Sequence, residues 1–295
     1  LATRTAQRQP ARTQHPTHQP PMPRRASAST WTFTKRLRSK GFGWRGSRLA
    51  CERLREAASE LRAAAAVDPI RAADGAVLLC ERLTPALQEV DSSSGALGRA
   101  VDEAVAVAIE LVRSAPATLE VRRRWLERLY VAFTDDGFGF FDDLGESWGE
   151  LCVDDALANE WLEVLLPHCR ANVAEPPPRP FYSGMLPCLS VLRRLGRHDV
   201  LVDLLGPLSS SHPLHRQRAA SLAALGRVEE ALAAATAALP VDLTLPERIL
   251  REAGRVEDAW RRYGRLRLMR GSAVAHFRQV VADYPTLPPV RLLRD

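Results

Sequence analysis

Lysine is almost missing from this 295-residue chain: Lys35 and Lys40 are the only two among 41 cations, and arginine supplies the rest. With the abundant alanine and proline, this fits G+C-rich coding better than a selected arginine surface. Acidic residues are missing from the first 51 positions, which hold eleven basic side chains. All 35 carboxylates therefore fall in residues 52–295 against 30 basic groups, so the net charge of +6 belongs to the N-terminal segment and the remainder is net −5. No C-x-x-C pair occurs among Cys51, Cys80, Cys152, Cys169 and Cys188. Their odd number and irregular spacing exclude a disulfide framework and fit reduced, buried thiols in a cytoplasmic protein. No uncharged apolar run approaches the roughly 18 residues of a membrane-spanning helix, so no membrane partner is expected. Alternation of period two is also missing, which argues against half-buried strands.

What is present is a globular balance, 46% apolar and 26% charged, enough for a substantial core. Residues 1–30 alternate Arg, Gln, Thr, Pro, His and Ser and carry too few apolar side chains to offset backbone ordering. Residues 1–40 are accordingly expected to form a disordered basic tail. Met22 opens "MPRRASAST", which makes residues 1–21 a candidate upstream extension outside the native translation product. The same acid-free leader resembles an organellar transit peptide, although Pro10, Pro16, Pro20, Pro21 and Pro23 would break the amphipathic helix of such leaders.

From Ser47 the period becomes helical. Ala50, Leu54, Ala57, Leu61 and Ala65 define one face, with Arg48, Glu52, Arg55, Glu56 and Arg62 on the other. Pro69 suits the first position of a second helix that reaches about Val90 with a break near Pro85. Further helices are expected over 100–114, 117–134, 139–151 and 154–169. "AEPPPRP", Ala174 to Pro180, is a stiff connector. It divides an N-terminal helical half, residues 41–173, from a C-terminal half, residues 181–295.

The second half repeats itself. "LGRHDVLVDLL", "LGRVEEALAAA" and "AGRVEDAWRRY" place Gly196, Gly226 and Gly254 at steps of 30 and 28 residues. Each glycine suits the left-handed position that closes a helix, and Asp199, Glu229 and Glu257 follow in the first turn of the next. Leu192, Leu222 and Leu250 precede each glycine by four residues. The apolar sets also match: His198, Leu201, Val202, Leu205; Val228, Ala231, Leu232, Ala235; Val256, Ala259, Trp260, Tyr263. A single helical hairpin cannot bury its own apolar face, so stacked copies build a core that no copy has alone.

Gly226, Val228, Glu230, Ala231 and Ala238 resemble the turn and second helix of a tetratricopeptide repeat, and Gly254, Val256 and Ala259 partly repeat the match, at a period shorter than that family's usual one. The fold expected is all-α, an alpha-solenoid of antiparallel, tetratricopeptide-like hairpins. The longer stretch from Gly41, with "GWRGSRLA", "SSGALGRAV", "SWGELC", "AGRVEDAWRRYGRL" and "FRQVVADYP", is similar to a bacterial family of all-helical proteins. That resemblance implies fold and source and transfers no catalytic residue.

Candidate chemistry is sparse. "GFGWRG", Gly41 to Gly46, has the spacing of a dinucleotide-binding loop, with Asp68 downstream, but lacks the flanking strands that such a site needs. No cofactor is expected. Lys35, Arg36, Arg38, Lys40, Arg45 and Arg48, interleaved with Trp31, Phe33, Phe42 and Trp44, form a candidate nucleic-acid or anion contact, since cations meet phosphates and aromatics stack on bases. The competing reading is a solvated arm whose aromatics pack on the first helices. "DDGFGFFDD", Asp135 to Asp143, gathers four carboxylates but lacks calcium-loop spacing, and reads as a capped turn between helices. Cys152, His168, Cys169 and Cys188 lack the tight ligand pair of a zinc site. His198, His212, His215 and His276 show no triad spacing. Trp125, Trp148, Trp161 and Trp260 fall on apolar helical positions that suit core packing.

The function expected is a non-enzymatic protein-interaction scaffold that binds a protein or peptide. The alternative is a nucleic-acid-associated protein that uses the basic arm. An enzyme with its site between the two halves is a third class, resting on "DDGFGFFDD" and the scattered histidines.

Overall fold

The computed structural model describes residues 31–37, 47–87, 95–136, 139–174, 182–238, 242–269 and 274–294. The chain divides into Leu1–Trp31 and Thr32–Asp295, and every element below belongs to the second unit. Among the described residues all regular structure is helical. "GFGWRG", together with Arg38, Lys40 and Arg45, lies outside the described residues.

Helix α1 (Phe33–Arg36) is a single turn, and it corrects the expectation of disorder through residue 40. Phe33 and Leu37, four apart, are buried, and the turn packs on α2 (Ser47–Ala65) and α3 (Pro69–Leu87). Glu60 of α2 holds its start, accepting from the Thr32 backbone N–H at 2.9 Å and the Thr32 hydroxyl at 2.6 Å. Two apolar anchors at helical spacing thus order a segment whose composition alone reads as disordered.

The helical period of α2 is realised in packing: Ala50, Leu54, Ala57 and Leu61 are fully buried, while Arg48, Glu52, Arg55, Glu56 and Arg62 face solvent. Asp68 caps α3 by accepting the Arg71 N–H at 3.0 Å, and Pro69 takes the first helical position, where a missing N–H costs nothing. α4 (Ala96–Ser114) buries Leu97, Val101, Ala104, Val105, Ala108 and Val112 at steps of three and four against α2 and α3. It ends at Ala115, whose extended backbone is imposed by Pro116. Thr118 then caps α5 (Leu119–Thr134), which packs on α3.

Arg122 of α5 locks this group. It is 3% exposed, and its guanidinium donates to the carbonyls of Val112 (2.6 Å), Ala115 (2.8 Å) and Leu151 (3.3 Å). These are the orphan acceptors at the ends of α4 and of α7. Burial lowers the Arg122 pKa.

Two short helices, α6 (Asp142–Glu146) and α7 (Trp148–Cys152), precede α8 (Asp155–Ala174), so the helix expected over 139–151 is interrupted at Ser147. α9 (Met185–Arg194) follows the connector and packs on α6, α7 and α8. The two halves are therefore continuous in packing across the proline segment.

From α9 onward each helix packs on the next: α10 (His198–Leu205), α11 (His215–Ala224), α12 (Val228–Ala237), α13 (Thr244–Glu252) and α14 (Val256–Ala259). Gly196, Gly226 and Gly254 have φ of 66°, 75° and 74°. Each closes its helix with one bond pattern. The Gly196, Gly226 and Gly254 N–H groups donate to Arg193, Ala223 and Arg251, and the N–H of the following arginine donates to Leu192, Leu222 and Leu250 at 2.8–2.9 Å. This is the Schellman closure, repeated three times. Leu192, Leu222 and Leu250 are fully buried, and Leu201, Ala231, Leu232, Ala235, Ala259 and Trp260 enter the core at the matching positions.

A π-helical turn, Trp260–Gly264, continues α14 into α15 (Arg265–Met269). A Cβ on Gly264 would lie 2.6 Å from both the Trp260 ring and the Tyr284 hydroxyl, so the bare backbone admits Tyr284 edge-on to Trp260. α16 (Val274–Asp283) and α17 (Pro289–Arg294) complete the chain. Beneath them the Tyr284 hydroxyl donates to buried Glu247 at 2.7 Å, and Arg267 and Arg251 pair with Asp283. No helix among the described residues is long and apolar enough to cross a membrane.

Candidate functional site at the junction

The junction between the halves is built on two glycines one helical turn apart, Gly145 and Gly149. A Cβ on Gly145 would lie 2.9 Å from the Phe133 ring, and one on Gly149 would lie 2.5 Å from the Ser190 carbonyl oxygen. Without those atoms α9 approaches α6 and α7 closely enough for the Gly149 N–H to donate to the Ser190 hydroxyl at 2.9 Å. That hydroxyl in turn donates to the Glu146 carbonyl at 2.6 Å. Arg193 donates to the same carbonyl at 3.0 Å. Beyond α7, Val153 has a φ of 60°, a left-handed conformation rare for a β-branched residue, and its carbonyl accepts from Arg194.

Beside this seam lies an open cavity of about 560 Å³, a volume in the range of small-ligand and side-chain pockets. Phe133, Met185, Leu186 and Leu214 supply apolar wall. Asp136, Asp142 and Glu146 bring three carboxylates from one side, and Arg216 and Gln217 of α11, with His212 in the turn before it, line the cavity as well. Gln217 Nε2 donates to Glu146 Oε1 at 3.2 Å, tying α11 to α6 across the opening. Asp136 accepts the Phe141 N–H at 2.8 Å, and Gly139 turns the chain with a φ of 76°. The described residues of "DDGFGFFDD", 135–136 and 139–143, thus carry a side-chain cap between α5 and α6, and two of its four carboxylates also line the cavity.

The electrostatics are uneven. Partial burial raises the Asp142 carboxyl above its ordinary pKa, and the negative charges of Asp136 and Asp143 push it further. Among the described residues no ion pair involves Asp142 or Glu146. Burial, and then the neighbouring His215, lower the His212 pKa, which favours neutral imidazole. Its Nδ1 accepts from the Leu214 N–H at 3.2 Å, which leaves the proton of the neutral ring on Nε2.

The other candidates fall elsewhere. Of the six basic residues proposed for nucleic acid or anions, Arg36 pairs with Glu56 on α2, and Arg48 reaches Glu52 at 3.2 Å while remaining largely exposed. Lys35 is exposed on α1. His198 Nδ1 meets the Ser221 hydroxyl at 3.3 Å, but Ser221 is fully buried, so the pair ties α10 to α11 and offers no hydroxyl to a substrate. Cys169 and Cys188 come together between α8 and α9. The Cys188 pKa is raised by its hydrogen bond with Cys169 and by burial, and burial pushes Cys152 up to about 12. Such thiols are inert at neutral pH. Among the described residues no three His, Cys, Asp or Glu side chains converge as metal ligands. Trp148 is fully buried and meets Trp161 at 5.1 Å between ring centroids and Tyr130 at 5.7 Å, so it serves the core.

The sequence reading singled out Asp136, Asp142 and His212 but had no means to bring them together. Glu146, Tyr182, Met185, Leu186 and Gln217 carried no motif; the one available signal was the proline connector immediately before Tyr182. Comparison of the chain with family models, with curated proteins and with solved structures returns no match.

Proposed function

We propose that this chain is a helical-repeat interaction scaffold that seats a segment of a protein partner in the junction cavity. The observation that carries the reading is the cavity itself, walled by α5 and α6 from one half and by α9 and α11 from the other. A partner segment lying there would contact both halves at once. The tetratricopeptide-like solenoid belongs to the same proposal. It is supported by the helix-to-next packing from α9 to α14 and by the three identical turn closures, since stacked hairpins present extended faces that suit peptides. A cytoplasmic setting is part of it too, supported by five cysteines held as buried thiols.

The test places a photo-crosslinking side chain at Gln217 in the full chain and, separately, at exposed Val67 on the far side of the sequence. A discrete cross-linked partner from Gln217 and none from Val67 is the expected result. Equal yields at both positions, or turnover of a defined metabolite by the purified chain with no cross-link, would overturn it.

A further inference from the structure

We propose that Val153 is the strained half of a two-state clasp, closed by Arg194, that couples the docking of α9 to the turn between α7 and α8. The inference is independent of the scaffold reading. Val153 joins α7 to α8 with φ 60° and ψ −39°, and across it the Asp154 N–H donates to the Cys152 carbonyl at 2.6 Å. That is a γ-turn of the rare hand, strained for any L residue and most of all for a β-branched one. Among the described residues no other non-glycine residue has a positive φ. The isopropyl group is 44% exposed, so its burial does not explain the conformation. Both flanking helices are fixed close to the turn. Arg122 donates to the Leu151 carbonyl on the α7 side, and on the α8 side the Asp154 carboxylate accepts from the Ala156 and Leu157 N–H groups at 2.7 and 3.3 Å. What the positive φ adds is the direction of the Val153 carbonyl, which meets the Arg194 guanidinium in the last turn of α9. The same guanidinium nitrogen reaches Asp155 Oδ1 at 3.0 Å. Strain of this kind persists only while its surroundings hold it. Without Arg194 the carbonyl gains nothing from that direction, and Val153 returns to negative φ. The first turn of α9 carries Met185 into the cavity wall and its last turn carries Arg194 to the clasp, so a rigid shift of α9 that reshapes the cavity also moves Arg194 against the turn.

The test is a double-mutant cycle on the full chain, followed by urea denaturation. Val153→Gly relieves the strain of the closed clasp and is expected to raise the folding equilibrium constant about threefold to tenfold, the strain removed less the entropic cost of glycine. In the Arg194→Met background the turn has already relaxed, and the gain should vanish. Val164→Gly, at an exposed valine inside α8, should instead lower the constant in both backgrounds. An equal gain from Val153→Gly with and without Arg194 would overturn the proposal, because α7 and α8 alone would then impose the strain. So would the absence of any gain in the parent chain. Native-state hydrogen exchange gives a second reading that does not depend on Arg194→Met folding. In the parent chain the Asp154 amide should exchange through a local opening, faster than the central amides of α4, and Val153→Gly should raise its protection. An Asp154 amide that exchanges only with global unfolding, or whose protection is indifferent to Val153→Gly, would remove the second state.

Discussion

The repeats and the junction are held together by different physics. Between α9 and α14 three turns, those that lead into α10, α12 and α14, are closed locally: a glycine in the left-handed region, two backbone bonds to the helix just ended, and an acidic residue in the first turn of the next helix. At the junction the determining contacts run across dozens of residues, Gly149 to Ser190 and Arg122 to Leu151 among them. A repeated hairpin can lose one turn and keep its neighbours, because each contact is made with the adjacent unit. The junction has no such redundancy, and the cavity inherits that dependence.

The sharpest way to break the comparison is Arg122→Met. Its methylene volume is largely kept, but three buried carbonyls lose their donor, and a cost of about 3–5 kcal/mol is expected from urea denaturation. Arg123→Met on the next position should cost far less, because its pair with Glu160 is exposed to solvent. Next come the glycines. Gly149→Ala would push a Cβ into the Ser190 carbonyl and is expected to cost about 1–3 kcal/mol while displacing α9 from α7, read as a change in Trp148 fluorescence. Gly226→Ala meets open space, so only its backbone conformation is strained, at about 1–2 kcal/mol. Gly226→Asn should recover part of that loss, because asparagine tolerates the left-handed region, whereas Gly149→Asn should recover nothing. Equal behaviour of the two asparagine variants would erase the distinction between the regions.

The same contrast decides what could be read in advance. Gly196, Gly226 and Gly254 were legible because everything that requires them sits within a few residues, and a local requirement leaves a local pattern. Arg122, Arg123 and Arg124 are identical letters in a row, yet helical geometry turns them about 100° apart. Arg122 enters the core, Arg123 meets Glu160 and Arg124 approaches Glu120. Only the placement of α4 and α7 tells them apart. Gly145 and Gly149 likewise read as ordinary helix-weakening residues until α9 is laid against them. Phe33 packs on α2 and α3, as the reading of an arm whose aromatics rest on the first helices has it, while Leu37 shows why composition alone misses such docking: composition averages over a segment, and two anchors at the right spacing dock it. The cavity is the extreme case, for its lining comes from three separate stretches, within 133–146, 182–186 and 212–217.

Two carboxylates, Asp142 at the junction and Asp283 at the end of α16 beyond the repeats, should respond to acid with opposite sign. At Asp142 partial burial and the charges of Asp136 and Asp143 raise the folded pKa, so the folded chain binds a proton more readily than the unfolded chain. The ionised group therefore opposes folding at neutral pH, and its penalty disappears as pH falls through the raised value. At Asp283 burial resists ionisation, but the hydrogen bonds and charges of Arg267 and Arg251 outweigh it and depress the folded pKa. Its stabilisation is present above the unfolded value of about 3.9 and is lost as pH falls through the folded one. Asp142→Asn should thus raise the urea midpoint at pH near 7 and lose that gain in acid. Asp283→Asn should lower the midpoint near pH 7 and flatten the acid limb below about pH 4. The two profiles should cross in opposite directions relative to the parent chain. If Asp142→Asn instead destabilises at neutral pH, a cation of the fold already relieves its carboxylate, and Arg216, which lines the same cavity, is the first to replace in turn.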